Sequence, residues 1–325
     1  MKATFFSLSA VVIWLALGIA PVLAQTTYPN KPIRMIVAFP PGGGTDINAR
    51  LIGASLQASL GQPVVIENRP GANGLIGTAM LAKSLPDGYT LSMGAGGPLT
   101  INHQAMKNVP YDPLKDLAPV AMVSAHVLAL VVHPSFPANS VQELIAVIKP
   151  KPDGYSYGSS AIASPHHLTM ELFQSLTGSH MTHIPYKGSG DAIRDLVAGQ
   201  VRIAFETVSV ILPHVNAGRL RMLAVTSKER SKLAPNVPTM TEMGFPGFES
   251  FSWYGVVAPV GTPKPIIGTL NTEIGKALLS PEVRDKLALL GAEPLPGTPE
   301  DMDSFMKAEI AKWGRVIRDV KITLD

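Results

Sequence analysis

The chain has 325 residues, a formal net charge of +3, 46% hydrophobic and 16% charged residues, and no cysteine. Disulfides, a thiolate nucleophile and a lipidated cysteine are thereby excluded. The basic residues form no run longer than two and few aromatics interleave with them, which argues against nucleic acid as a partner.

Lys2 precedes an apolar run from Phe5 to Leu23, and Val22-Leu23-Ala24 puts small residues at the −3 and −1 positions of a cut after Ala24. This is the pattern of a secretory signal peptide over residues 1–24. An uncleaved anchor is the alternative, since the run is nearly long enough to span a bilayer, although Gly18 and Pro21 interrupt it. Loss of Lys2 with the leader takes the formal charge from +3 to +2. No later stretch reaches the ~20 apolar residues that a spanning helix needs. An export signal without cysteine fits a bacterial periplasm. About 300 mature residues exceed one comfortable core and suggest two domains.

The first element is a run rich in β-formers, Ile33, Met35, Ile36, Val37 and Phe39, which reads as a strand buried on both faces. Pro40, Pro41 and Gly42–Gly44 stop it. Thr45 and Asp46 are helix N-cap types, and the helix that follows is closed by Gly61. The first amides of a helix lack internal partners and carry partial positive charge, so the turn suits a small anion. On this stretch alone, a plain strand-to-helix turn fits equally well.

A strand over Pro63–Ile66, the turn cluster ENRPGANG, a helix over Leu75–Ser84 and a strand over Tyr89–Met93 come next, ending in the Gly-rich loop Gly94–Pro98. Two strand–helix units predict a parallel α/β sheet with loops at its carboxyl edge. Leu117–His133 reads as two strands joined near Ser124 and His126, a crossing between domains. Val141–Ile148 is helical, KPDGYSYGSS gives a strand and a small-residue loop, and Ser164-Pro165 caps a helix that runs to a Gly stop. Then come a strand over His180–Tyr186, a KGSG turn, a helix over Asp191–Ala198, and strands over Val201–Glu206 and Leu220–Thr226. Thr239 and Glu242 form a capping box for a short helix. Phe248–Val260 returns the chain to the first domain. Helices follow over Lys264–Leu279 and from Ser280-Pro281, the latter with Val283, Leu287 and Leu290 on one stripe. A final helix over Pro299–Val320 packs through Phe305, Ile310, Trp313 and Ile317.

Enzyme motifs are missing. There is no G-x-S-x-G elbow and no phosphate-binding G-x-x-x-x-G-K-[ST], and PPGGGTDI lacks the third glycine of a dinucleotide fingerprint. His166-His167 and His180-x-x-His183 have no carboxylate at metal-ligand spacing, so no metal and no cofactor is expected. A Ser, His and Asp converging in space from distant positions is the remaining enzyme reading.

FPPGGGTD, ENRPGANG, LPDGYTL, YGSS, HLTMELF, IPYKG, LRMLAVTS, VPTMTEMGFPGF, WYGVVAP and the closing GAEP…W resemble the Bug receptors, extracytoplasmic solute receptors of tripartite tricarboxylate transporters. The resemblance runs over essentially the whole mature chain. It implies an α/β periplasmic binding protein of the two-lobed, type II Venus-flytrap kind, with two crossing hinge strands and a carboxylate in the cleft. Residues 25–124 plus 255–325 would form one lobe and 125–254 the other.

By the same resemblance, the loop at Gly43, Gly44, Thr45 and Asp46 holds a ligand carboxylate through backbone amides. Asp46 would repel an anion if it faced the cleft, so its side chain is assigned to capping amides. Ser159, Ser160 and Ser164 form the opposing turn, where Ser164 also suits simple capping. His167 either faces the cleft or covers the helix start. Lys187, in PYKG, either pairs with the anion or is a solvated turn residue. Glu206 stands where the family usually has Asp; the longer side chain narrows the cleft by a methylene and puts an amino-acid ligand in doubt. The expected function is capture of a small carboxylate by lobe closure, and delivery to integral membrane subunits of a transporter or to a sensor protein. The receptor would act as a monomer and not as an enzyme. A secreted hydrolase or isomerase on the same fold is the alternative.

Overall fold

Three parallel strands and the helices between them open the chain in the computed structural model, which describes residues 28–186 and 188–320. The signal-peptide reading and Lys187 lie outside the described residues. β1 (Ile33–Val37) is flanked by β2 (Val64–Asn68) and β3 (Thr90–Ala95), both parallel to it, with Ile33 beside Val64 and Arg34 beside Thr90. α1 (Gly44–Leu60) and α2 (Leu75–Ala82) are the crossovers. Gly61 ends α1 at φ 69°, the left-handed position that glycine adopts without a Cβ penalty. After β3 the chain makes a π-type turn, Gly97–Ile101, and one turn of helix, α3 (Asn102–Ala105).

β4 (Leu117–Val132) is the spine of the molecule. Its 16 residues form one continuous strand, which replaces the expected pair of strands joined near Ser124 and His126. The polar residues there do not break it, because β9 (Phe251–Pro259) pairs antiparallel alongside from Leu117 to Val127. Register shifts at Pro119/Ala121 and Met122/Ser124 bend the ladder instead. Beyond Val127, β4 pairs antiparallel with β7 (Ile203–Thr207) and β8 (Arg221–Val225). β5 (Ser156–Ser159) runs parallel to β7 and to β6 (Thr182–Pro185). The strand order is β2-β1-β3-β9-β4-β7-β5-β6, and both β8 and β10 (Ala292–Pro294) also pair with β4.

The apolar residues divide along this spine. Ile33, Met35, Ile52, Leu56, Leu91, Val256, Leu270 and Ile274 form one core, between the first strands, α1 and α8 (Lys264–Leu279). In the far half of β4, Leu128, Leu130 and Val132 point into a core with Tyr157, Phe173, Ile203 and Phe205, while Val127, Ala129 and Val131 meet Ile193, Leu196 and Ile211 on the opposite face. The period-2 alternation of a strand explains why this segment is apolar at nearly every position: both faces are covered.

α4 (Val141–Ile148), α5 (Pro165–Thr177), α6 (Ser189–Val197) and α7 (Val208–Asn216) cover the second half of the sheet. α9 (Pro281–Leu289) and α10 (Pro299–Val320) complete the chain. Trp313, Val316 and Ile317 of α10 pack with Ile101, Ala105 and Leu168, so this helix touches elements from both halves; Phe305 and Ile310 are only half-buried. α7, with Pro213 inside it, and the three-residue β10 were not anticipated. The Thr239–Glu242 box is made, with Thr239 N donating to Glu242 Oε2 (2.6 Å) and Glu242 N to Thr239 Oγ1 (3.1 Å), but it closes a turn rather than a helix. Among the described residues, no helix is long and apolar enough to cross a membrane.

Candidate functional site

β1, β2 and β3 are parallel, so their carboxyl ends share one edge, and each is followed there by a glycine-containing turn. Gly43 is the N-cap of α1 and makes no side-chain cap, leaving that helix start to whatever the loop faces. Asp46 turns inward. Its Oδ2 accepts from Gly42 N (2.9 Å) and Arg50 Nε (2.9 Å), and its Oδ1 from Asn68 Nδ2 (2.9 Å) and Arg50 Nη2 (3.0 Å). Burial would raise this carboxyl, but hydrogen bonds from Arg50, Gly42 and Asn68 outweigh it and hold the group at about 2. The acid thus shapes the loop and is neutralised by Arg50. Thr45 is buried, Gly44 is half-buried and Gly43 is exposed. Tyr254, on β9, lies against Gly44: a Cβ there would stand 2.2 Å from the phenol oxygen.

The turn after β2 is strained. Ala72 (φ 46°) and Asn73 (φ 50°) are both left-handed, between Gly71 (φ 138°) and Gly74 (φ 86°). Such conformations cost about 1–3 kcal/mol each and gather at functional sites. Asn73 Nδ2 donates to Asn102 Oδ1 (3.0 Å) and Asn102 Nδ2 to Asn73 O (2.9 Å), tying this turn to α3. In the sequence, the turn cluster G-A-N-G is the available signal for Asn73, and nothing local marks Asn102. After β3, Gly96 faces the buried Trp253 indole, and a Cβ on Gly96 would lie 2.8 Å from Trp253 Nε1, a donor without a partner among the described residues.

On the other half of the sheet, β5 and β7 end at the turns that start α5 and α7. Ser159 is buried; its hydroxyl donates to Ala161 O (2.9 Å) and pairs with His183 Nε2 (2.6 Å). Ser164 caps α5, accepting from His167 N (3.2 Å) and donating to Ala161 O (2.8 Å). His167 covers the helix start: Nδ1 accepts from Ala163 N (3.0 Å), and the ring stacks on His183 at 3.8 Å. His183 stacks in turn on Tyr157 at 4.9 Å. Burial and the neighbouring His183 push His167 down to about 3; burial takes His183 to about 4.

The residue that meets the sheet edge is His166, which the sequence offers only as half of a histidine pair without metal-ligand spacing. Its Nδ1 is 2.8 Å from Ser160 Oγ, and its Nε2 is 3.5 Å from both Glu206 Oε2 and Thr207 Oγ1. Burial lowers His166 to about 4. Glu206 has no exposed surface. Its Oε2 accepts from Thr207 N (3.2 Å), and its Oε1 has no partner among the described residues. Burial raises this carboxyl to about 8, against the Thr207 amide and a Ser189 hydrogen bond that favour the ion. The structure therefore groups Ser160, His166 and Glu206, and sets His167 in a separate stack with His183. Two cavities, about 620 Å³ between α1 and α9 and about 320 Å³ beside Arg202, include none of these turns. Among the described residues, no group of three His, Asp or Glu side chains is arranged to hold a metal ion.

The family profile of the tripartite tricarboxylate transporter family receptor matches residues 48–322. The chain belongs to that family. It is 45% identical over 303 residues to the protein BugT of Bordetella pertussis, covering 93% of each chain. Among solved structures, it matches Rpa4515 of R. palustris with adipate at TM-score 0.83 and 39% identity, covering 91% of this chain and 99% of that one. MatC of Rhodopseudomonas palustris with bound malate matches at TM-score 0.80 and 31% identity, over 89% and 100%. The periplasmic binding protein BugD matches at TM-score 0.79 and 32% identity, over 91% and 99%. The α/β, two-lobed periplasmic-binding-protein fold expected from the Bug motifs is thus the fold of this receptor.

Proposed function

We propose that this receptor binds a small carboxylate between two lobes in the periplasm, after cleavage behind Ala24, and delivers it as a monomer to integral membrane subunits of a transporter. The observation that carries the reading is the glycine-lined, uncapped start of α1, whose one acid, Asp46, is neutralised by Arg50 and turned away. Two related receptors hold adipate and malate, both dicarboxylates. In this reading the amides at Gly43, Gly44 and Thr45 take one carboxylate, and Asp46 fixes their loop. Ser160 faces the other end, on a turn shaped by Ser159, Ser164 and His167, with Lys187 contributing charge and the buried Glu206 standing behind His166. Residues 25–124 plus 255–325 form one lobe and 125–254 the other, joined by β4 and β9.

Three or four charge-assisted hydrogen bonds at ~1.5–3 kcal/mol each are offset by an association cost of at least ~4 kcal/mol. Micromolar affinity needs ~8 kcal/mol, so closure must add apolar burial and must favour the closed state by contacts made only there. Thermal-shift and calorimetric titration with adipate, malate, succinate, citrate and glutamate test the reading. Saturable stabilisation with the ligand recovered intact is the expected result. Turnover of a bound carboxylate would show a hydrolase or isomerase instead, and failure of all five to bind would remove the carboxylate assignment. Co-purification with membrane subunits, rather than with a sensor kinase, separates transport from sensing.

A further inference from the structure

Ser160, His166 and Glu206 form a chain from a half-buried turn to a fully buried strand end. The links are Ser160 Oγ to His166 Nδ1 at 2.8 Å and His166 Nε2 to Glu206 Oε2 at 3.5 Å. The second link is long, as such contacts often are before a ligand tightens them. The groups that face Glu206 are His166 from α5, Ser189 from α6 and Thr207 from its own strand; β4 places only Ala129 opposite it. No cation pairs with Glu206 among the described residues. A lone carboxylate so enclosed is far costlier than the neutral acid.

Two proton arrangements are available to such a chain. With Glu206 neutral, its O–H donates to His166 Nε2. The imidazole then keeps its proton on Nδ1 and donates to Ser160 Oγ, which leaves the Ser160 O–H to donate outward. With Glu206 ionised, the imidazole proton moves to Nε2, Nδ1 accepts the Ser160 O–H, and only lone pairs face outward. We infer that Glu206 is a positioning residue that, as the neutral acid, fixes the His166 tautomer so that Ser160 presents a donor, selecting an oxygen anion over an ammonium group at this end of the solute. The inference rests on the receptor reading of the same site. It also removes Ser160 as a nucleophile, because a ring nitrogen that donates to a serine cannot take its proton.

Nitrogen NMR of the ¹⁵N-labelled receptor reads the relay without any ligand. His166 should carry its proton on Nδ1 at pH 7 and on Nε2 at pH 9, and Glu206→Gln, whose amide donates at every pH, should keep Nδ1–H at pH 9. In calorimetry with adipate and malate, wild-type affinity should fall about tenfold per pH unit above pH 8, and the ratio between pH 7 and pH 9 should approach one in Glu206→Gln. Should that variant not fold, Ser160→Ala should lose at least about tenfold in affinity while the His166 signals keep their wild-type pattern. An Nε2–H tautomer at pH 7, a wild-type pH profile retained by Glu206→Gln, or tighter binding of glutamate than of either diacid would overturn the inference. If wild type binds no carboxylate at any pH, the receptor reading fails, and the NMR result still decides the relay.

Discussion

The phenol of Tyr254 rests on the backbone of Gly44, so that a Cβ added there would fall 2.2 Å from its oxygen and 2.9 Å from its ring carbon Cζ. The last glycine of PPGGGTD is thus fixed by a strand more than two hundred residues later, as well as by any solute the loop faces. Gly43 differs: the nearest atom to a Cβ there is Pro40 O, at 3.8 Å.

The two glycines should therefore separate folding from binding. Gly44→Ala forces Tyr254 or the start of α1 to move, at about 1–3 kcal/mol, and should lower both the melting temperature and the affinity. Gly43→Ala is expected to melt within a degree or two of wild type while its added methyl blocks the loop and weakens binding. Equal melting of Gly44→Ala and wild type would mean that Tyr254 swings away freely.

Asp46 makes the fold acid-sensitive. Its folded value of about 2 lies below the ordinary value of 3.8, so its stabilisation is complete above 3.8 and is lost as pH falls through 2. The linkage is worth about 2 kcal/mol for a carboxylate this well enclosed. Asp46→Asn should lose that amount at pH 7 and only about a third of it at pH 2.5, measured by urea unfolding at both. A constant difference between the two pH values would show that the amide's geometry, and not the charge, is what matters.

Histidine burial sets a second, broader dependence. His126, His166, His167 and His183 are all depressed, chiefly by burial, from 6.5 to about 3–4. A lowered histidine binds fewer protons folded than unfolded, so its stabilisation is full above 6.5 and is lost as pH falls from 6.5 towards 4. Glu206 works in the opposite sense: raised from 4.5 to about 8, it costs stability as pH rises through that window. Histidines outnumber it, so the melting temperature should fall steeply from pH 6.5 to 4.5 and sag gently above pH 7. A flat profile between pH 7 and 5 would contradict this burial pattern.

Much of the fold could be read locally. Ser164-Pro165 and Ser280-Pro281 start helices where expected, because capping is settled by a few adjacent residues. The expected break in β4 does not occur because its continuity depends on β9 pairing beside Ser124 and His126, which no local window contains. The site divides in the same way. The Gly42–Asp46 turn is visible in sequence, and even the inward turn of Asp46 follows from charge. The partnership of Ser160, His166 and Glu206 is not, since a strand end and a helix start forty residues apart meet only through sheet pairing. Of the two adjacent histidines, His167 stacks on His183 and takes the Ala163 amide, whereas His166 reaches Ser160, and none of these partners lies in a local sequence pattern.

The turn Gly71–Gly74 carries the last prediction. Ala72 and Asn73 are held left-handed, where a non-glycine residue pays a steric cost, and the Asn73–Asn102 hydrogen bonds are what hold them. Replacing Ala72 by glycine removes the Cβ clash but loosens the unfolded chain, so its net effect should be a gain of at most about 1 kcal/mol. Asn102→Ala removes both links and should cost about 1–3 kcal/mol by leaving the Asn73 groups unsatisfied. If the strain keeps this turn preorganised at the sheet edge, Asn102→Ala should also weaken carboxylate binding beyond its effect on stability, whereas Ala72→Gly should not. Calorimetric affinities measured well below each variant's melting temperature separate the two effects. Unchanged affinity in Asn102→Ala would assign the strained turn to connecting α2 and α3 alone.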